Sequence, residues 1–298
     1  MQTIIVTGAS SGIGALSCRR LADAGYRVFA GMRQTTGRNK AAADEARSYA
    51  SDQGVHLQPL ELDVTDDASV TAAVDHVVER AGGIDVVVHN AGHMVIGPTE
   101  AFSPAELADL YDTNVLGTQR VNRGALPYLR GQGHGLLLWV GSSSTRGGTP
   151  PFLGPYFAAK AAMDSLAVSY AAELIKFGID TTIVVPGPFT SGTSHFTKSS
   201  RPADSERAAA YDANYGQLMA EIPARLSALE PPGADVAAVA AAIVQVVQQP
   251  PGTRPFRVHI DPTDDGAEVV SAVADRMRVE FFRRLNLTEL IETSSLPR

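Results

Sequence analysis

The chain has 298 residues, 44% of them hydrophobic and 19% charged, which is enough to bury a full core and too apolar for a disordered chain. With 25 Lys plus Arg against 32 Asp plus Glu, the net charge is −7. Such a surface has no global attraction for nucleic acid or an anionic membrane. Cys18 is the only cysteine, which excludes an intrachain disulfide and a cysteine-based zinc site.

The first residues, Gln2-Thr3-Ile4-Ile5-Val6, read directly as a strand without a basic start or cleavage site, so a soluble, cytoplasmic protein is expected. Apolar runs predict strands at Thr3–Thr7, Arg27–Gly31, His56–Leu60, Val86–His89, Leu136–Val140, Thr181–Val185 and Phe256–Ile260. None is long enough to cross a bilayer. Asp66 can cap a helix through Val70, Val74 and Val77. Ser103-Pro104-Ala105-Glu106 is a capping box with proline at the first helical position. Met163, Leu166, Tyr170, Leu174 and Phe177 lie along one helical face, and Asp235 can open a helix to about Gln248. This alternation predicts a parallel sheet covered on both faces, one doubly wound α/β domain over residues 1–298.

Two segments stand apart. Within 189–231, Tyr211, Tyr215, Leu218, Met219, Ile222, Leu226 and Leu229 form an apolar stripe. It reads as a mobile substrate lid, or as an amphipathic helix simply packed on the domain. The tail 261–298 carries apolar positions Val269, Val273, Met277 and Phe281 and is expected to form a helical extension.

Thr7-Gly8-Ala9-Ser10-Ser11-Gly12-Ile13-Gly14 lies between the first strand and a helix through Leu16 and Leu21. N–H groups at a helix N-terminus, exposed where side chains are absent, suit a pyrophosphate; the alternative is a turn that only packs strand on helix. The Lys-Ser/Thr pair of a P-loop is missing, which disfavours a triphosphate-hydrolysing site. Further along come Leu62-Asp63-Val64, Asn90-Ala91-Gly92, Asn114, Gly141-Ser142-Ser143, Tyr156-x-x-x-Lys160 and Pro186-Gly187. In this order the set resembles the short-chain dehydrogenase/reductase family over about residues 1 to 260. The resemblance implies a Rossmann-type sheet of seven parallel strands in the order 3-2-1-4-5-6-7. It also implies a nicotinamide dinucleotide held by Gly8, Ser10, Ser11, Gly12, Ile13 and Gly14. Asp63, beside Val64, would bond the adenine amino group, and Asn90, Ala91 and Gly92 would pack beside the cofactor. Pro186, Gly187 and a hydroxyl after them would meet the nicotinamide. The family's threonine position is Ser191 here, with Thr190 and Thr193 nearby, so which hydroxyl serves stays open. A homodimer or homotetramer is implied as well.

Tyr156 and Lys160 are four apart on a helical stretch, so their side chains share a face. An ammonium beside a phenol lowers the tyrosine's pKa from about 10. A tyrosine so tuned can exchange a proton with an alcohol or carbonyl oxygen. By resemblance, Tyr156 is the acid/base, and it and Lys160 also touch the cofactor. Ser143, 13 residues before Tyr156, would hold the substrate oxygen, with Ser142 and Ser144 as alternatives. Asn114 would hold a water connecting the lysine to solvent, or bond an irregular turn in a helix. His89 is expected as a packed histidine, and the seven histidines show no metal-ligand spacing.

At the end of the second strand, where an NAD-specific chain usually carries an acid, stand Gly31-Met32-Arg33. Arg33, helped by Ser11, suits the ribose phosphate of NADP(H); NAD(H) is the alternative. The expected protein is an NADP(H)-dependent oxidoreductase that interconverts a ketone or aldehyde and an alcohol, on a small molecule with apolar surface. The rivals are an NAD-dependent alcohol dehydrogenase and a non-catalytic nucleotide-binding sensor. The sensor is disfavoured because Ser143, Tyr156, Lys160 and Asn114 stand together.

Overall fold

The computed structural model describes residues 1–193 and 196–291; the parts of the expected lid at 194–195 and of the expected extension at 292–298 lie outside them. The first half runs β1 (Thr3–Val6), α1 (Gly12–Asp23), β2 (Arg27–Met32), α2 (Lys40–Gln53), β3 (Leu57–Glu61), α3 (Asp67–Ala81) and β4 (Val86–His89). It continues through α4 (Pro104–Tyr111), a π-helical turn at Asp112–Leu116, α5 (Gly117–Gln132), β5 (Gly135–Val140) and α6 (Gly154–Leu174). Then come β6 (Ile179–Pro186), α7 (Ser205–Ala209), α8 (Asp212–Ser227), α9 (Ala237–Gln248), β7 (Arg257–Ile260) and α10 (Ala267–Arg284).

The seven strands form one parallel sheet in the order β3-β2-β1-β4-β5-β6-β7. Period-two alternation sends successive side chains to opposite faces. Ile4, Val6, Val28, Val86 and Leu136 meet Leu21 of α1 and Ile243 of α9 on one face. Ile5, Phe29, Val87, Leu137 and Trp139 meet Val74 of α3, Leu129 of α5 and Met163 of α6 on the other. Both faces are covered, so the strands read as continuous apolar runs. The helix starts carry their own bonds. Asp66 accepts from the N–H groups of Ala68 and Ser69, and Ser103 and Glu106 close the capping box reciprocally.

The order reverses between β1 and β4, so the crevice at the carboxyl ends of these two strands is the topological switch point. The segments following β1, β2, β3, β4, β5 and β6 all emerge along this one edge. A satellite apolar cluster lies beyond it, with Met94, Phe152, Leu153 and Ile222 buried and Tyr156, Leu218, Met219 and Leu226 packed against them. The stripe of α8 is therefore seated next to Tyr156. Among the described residues, no helix is long and apolar enough to cross a membrane.

Candidate active site

The glycine-rich turn is shaped by close backbone approach. Gly8 has φ +67°, and a Cβ there would lie 2.6 Å from Ala91 Cα. A Cβ on Gly14 would meet the Gly8 carbonyl at 2.5 Å and collide with the Asn90 amide. Asn90 explains this crowding: its Nδ2 donates to the carbonyls of Thr7 (2.9 Å) and Gly8 (3.0 Å). Its side chain therefore clamps the turn to the end of β4.

Above the turn lies a cleft of about 650 Å³ lined by Gly8, Ser10, Ser11, Gly12, Ile13, Asp63, Val64, Asn90, Ala91 and Gly92. Arg33 lines it too, together with Arg38, Lys198 and Arg201, three cations the sequence reading passed over. The guanidinium groups of Arg33 and Arg38 reinforce burial in holding His93 below the ordinary imidazole range, so both stand near that ring. Arg38 follows Arg33 by five residues, in a turn secured by Asn39 Nδ2 donating to the Arg33 carbonyl at 2.7 Å. Asp63 accepts from the Thr65 N–H (3.0 Å) and hydroxyl (2.7 Å) through one oxygen, Oδ1.

A second cavity, of about 440 Å³, shares Ile13, Asn90 and Met94 with the cleft. Its walls include Ser142, Ser143, Tyr156, Lys160, Pro186, Gly187 and Thr193, with Leu153, Phe157, Phe189, Phe196, Leu226 and Leu229 supplying apolar surface. Lys160 is 4% exposed and donates to the Val140 carbonyl at 3.0 Å. Burial lowers its pKa from 10.5 to about 8. Burial pushes Tyr156 up to about 12, opposed by a hydrogen bond with Ser142. The expected lowering of the tyrosine by the lysine is not what this geometry produces. Both groups sit in an apolar wall, where each charged form is disfavoured, and the ammonium is committed to a backbone carbonyl.

The serines divide. Ser142 bonds Tyr156 and also Ser144, whose hydroxyl lies 2.7 Å from its own. Ser143 is buried and shares the cavity wall with Asp265, whose carboxyl is pushed up by burial and by Asp261. Asp265 is a wall residue that sequence reading missed, because it comes from the turn between β7 and α10.

Asn114 sits in the π-helical turn, an irregularity frequent at functional sites. Its Nδ2 donates to the carbonyls of Leu110 (2.9 Å) and His93 (3.1 Å), and its Oδ1 accepts the His93 N–H (3.2 Å). Gly92 lies beside both Asn114 Oδ1 and Lys160 Nζ. Of the three hydroxyls after Gly187, only Thr193 reaches the cavity wall. Thr190 bonds Glu230 through its N–H (2.8 Å) and its hydroxyl, and Ser191 is exposed. His89 is buried against Trp139, 4.4 Å between ring centres, with Asn122 Oδ1 2.7 Å from its Nε2; burial lowers its pKa to about 4.

Residues 2–202 match the family model described as short chain dehydrogenase. The chain belongs to that family. Human 17-beta-hydroxysteroid dehydrogenase type 1 is 38% identical over 190 residues, 62% of this chain and 56% of the human protein's length. A short-chain dehydrogenase from Streptomyces avermitilis superimposes with a TM-score of 0.70 at 28% identity, covering 96% of this chain and 97% of that one. An alcohol dehydrogenase from Thermococcus sibiricus, solved in complex with 5-hydroxy-NADP, gives 0.67 at 25% identity, covering 87% and 96%. Family membership places this short-chain dehydrogenase among oxidoreductases of the Rossmann type.

Proposed function

We propose that the protein is an NADP(H)-dependent oxidoreductase that interconverts a ketone or aldehyde and an alcohol, with Tyr156 as the acid/base. The observation that carries this reading is the shared wall of the two cavities. A phosphate-suited cleft and an apolar chamber holding a buried Tyr-Lys-Ser set meet at Ile13, Asn90 and Met94.

The residues fit a nicotinamide dinucleotide. Gly8 and Gly14 leave backbone surface that a Cβ would fill, and Arg33 and Arg38 provide planar cations suited to a ribose phosphate. The alcohol dehydrogenase from Thermococcus sibiricus was solved with an NADP derivative, which supports the same preference here. Gly8, Ser10, Ser11, Gly12, Ile13 and Gly14 would hold the phosphates, Asp63 and Val64 the adenine, Asn90, Ala91 and Gly92 the middle, and Pro186 and Gly187 the nicotinamide end. Thr193 is the best-placed hydroxyl for that end, ahead of Thr190 and Ser191. When bound, the group supplies or accepts the hydride.

The chain's own residues do the rest. Tyr156, held protonated by burial, gives its proton to the oxygen on which negative charge develops as a carbonyl is reduced. Ser143 or its neighbour Ser142 stabilises the same oxygen. Lys160 and Asn114 restore the proton to Tyr156, and Tyr156 and Lys160 also touch the cofactor. Phe189, Phe196, Leu226 and Leu229 exclude water and favour a substrate with apolar surface, in keeping with the steroid in the human relative's name. Self-association and a cytoplasmic location complete the reading.

The test follows nicotinamide absorbance with both cofactors against a panel of carbonyls and alcohols, for wild type and Tyr156→Phe. The substitution should cut turnover by about 10²–10⁴-fold while cofactor binding survives. An equally active phenylalanine variant would remove Tyr156 from the chemistry.

A further inference from the structure

Arg33, Arg38, Lys198 and Arg201 line the cleft together, and among the described residues none of the four is engaged in an ion pair. The acids of the cleft are Asp63, Glu106 and Asp109. Asp63 accepts from Thr65, and Glu106 accepts from Ser103 and Ala203. On a chain of net charge −7, four cations without acid partners in one cleft are a local feature. Arg33 and Arg38 sit on a turn with a firm base: Glu61 at the end of β3 accepts from the N–H groups of Gln34 (2.6 Å) and Thr35 (2.8 Å).

Lys198 and Arg201 belong to a strap that follows β6 and is docked on the segment after β4. The Ser200 N–H donates to the Met94 carbonyl at 3.1 Å, and the Ile96 N–H donates to the Ser200 carbonyl at 3.0 Å, so the two segments pair in parallel. The Ser200 hydroxyl lies 2.8 Å from His93 Nε2. The Ala203 N–H donates to Glu106 Oε1 at 2.8 Å, and Pro202 packs on Gly97, where a Cβ would lie 2.6 Å from the proline Cδ. These contacts bring the backbone on both sides of Ser200 to the end of the cleft where His93 stands near Arg33 and Arg38. Four like charges gathered there repel one another, and a polyanionic ligand turns that cost into attraction. A phosphate monoester carries about 1.5 to 2 negative charges at neutral pH and three acceptor oxygens, more than one arginine fork engages. A pyrophosphate has its own donors in the N–H groups of the glycine-rich turn.

We propose that Lys198 and Arg201 are cofactor-binding residues, which complete with Arg33 and Arg38 a cationic site for the ribose phosphate of NADP(H), assembled from two segments far apart in the chain. The proposal rests on the NADP(H) reading above and deepens it. The phosphate ties the strap to the body of the domain, so the strap is held more firmly with NADPH than with NADH.

The experiment titrates NADPH and NADH by fluorescence into wild type, Lys198→Ala, Arg201→Ala and the double variant. Adenosine 2′,5′-bisphosphate and AMP, followed by calorimetry, serve as probes without the nicotinamide. Each single substitution should weaken NADPH and adenosine 2′,5′-bisphosphate about three- to tenfold, the worth of one hydrogen bond, and leave NADH and AMP nearly unchanged. Added salt should erode wild-type affinity for NADPH more than for NADH, and the double variant should lose most of that difference. Trypsin gives a readout independent of affinity: at saturating nucleotide, cleavage after Lys198 should be slower with NADPH than with NADH. The proposal is overturned if NADPH and NADH weaken together, if neither weakens, or if the two protect Lys198 equally. Both alanine variants change exposed side chains, so the fold is retained while the contact is removed. Wild-type protein that binds NADH as tightly as NADPH overturns the NADP(H) reading and this proposal together. A loss specific to NADPH in Arg33→Ala, with Lys198 and Arg201 inert, overturns this proposal only.

Discussion

Replacing Lys160 by methionine, a side chain of similar length without charge, separates what the residue does for function from what it costs the fold. Lys160 is buried and its pKa falls from 10.5 to about 8, a difference worth about 3 kcal/mol against the charged form. Its bond to the Val140 carbonyl would be lost on substitution, at about 1 kcal/mol. Between about pH 8 and 10.5 the unfolded chain holds a proton that the folded chain has released, so wild-type stability rises with pH across that window. Below about 8 both states are charged and the full penalty is present. Lys160→Met should therefore be more stable than wild type by about 2 kcal/mol at neutral pH. At the top of the window, where the penalty has vanished, it should be less stable by about 1 kcal/mol. Urea unfolding at a series of pH values measures both, and turnover should be lost at every pH. A stability difference that stays constant across the window would refute the reasoning.

Three further outcomes are expected. Arg33→Ala should weaken NADPH binding by about one to two decades and leave NADH nearly unchanged, as read by fluorescence titration; equal losses for the two would take Arg33 off the ribose phosphate. Carbonyl reduction should decline as pH rises through about 8, where Lys160 loses its proton, and a pH–rate profile flat across that value would show that its charge is not needed. Protection from proteolysis between Phe196 and Pro231 should increase when cofactor and substrate bind, because Phe196, Leu226 and Leu229 line the cavity; unchanged cleavage would make α8 a packed helix and no more.

The sheet was legible because each strand is a short apolar run bounded by its own turn. The boundaries agree to within two residues, and the largest departure is β6, which starts at Ile179 instead of Thr181. Helices with side-chain caps were equally plain: the Asp66 cap and the Ser103 box appear as bonds in the structure. α2 escaped notice for a physical reason. Only Ala43 and Ala46 of its 14 residues are buried, so its apolar stripe is too thin to register as a period of 3.6.

The site divides along the same line. Gly8, Asn90 and Ser143 sit in short local patterns just after the carboxyl ends of strands, and Tyr156 and Lys160 lie one turn apart on α6, so that spacing along the chain translates directly into position. What surrounds them is assembled from far apart. Arg257 of β7 is buried against Asp164 of α6, 93 residues away, and reaches Asp275 of α10 at 2.9 Å, while Arg146, just after the serines, binds the same Asp164 at 3.2 Å. Nothing in the sequence near Arg257 announces a partner in α6. An ion pair so buried stabilises little on balance, yet removing one partner strands the other charge in the interior. The network therefore works mainly as a constraint on where the serine loop and the Asp265 turn can sit. The proposed proton-transfer groups are encoded locally, whereas the placement of the Asp265 turn against the serine loop is set by residues far apart in the chain. Asp275→Asn on α10, remote from Tyr156, is thus expected to lower stability in urea unfolding, because it takes a charged partner from the buried Arg257; an unchanged midpoint would show that the network constrains nothing.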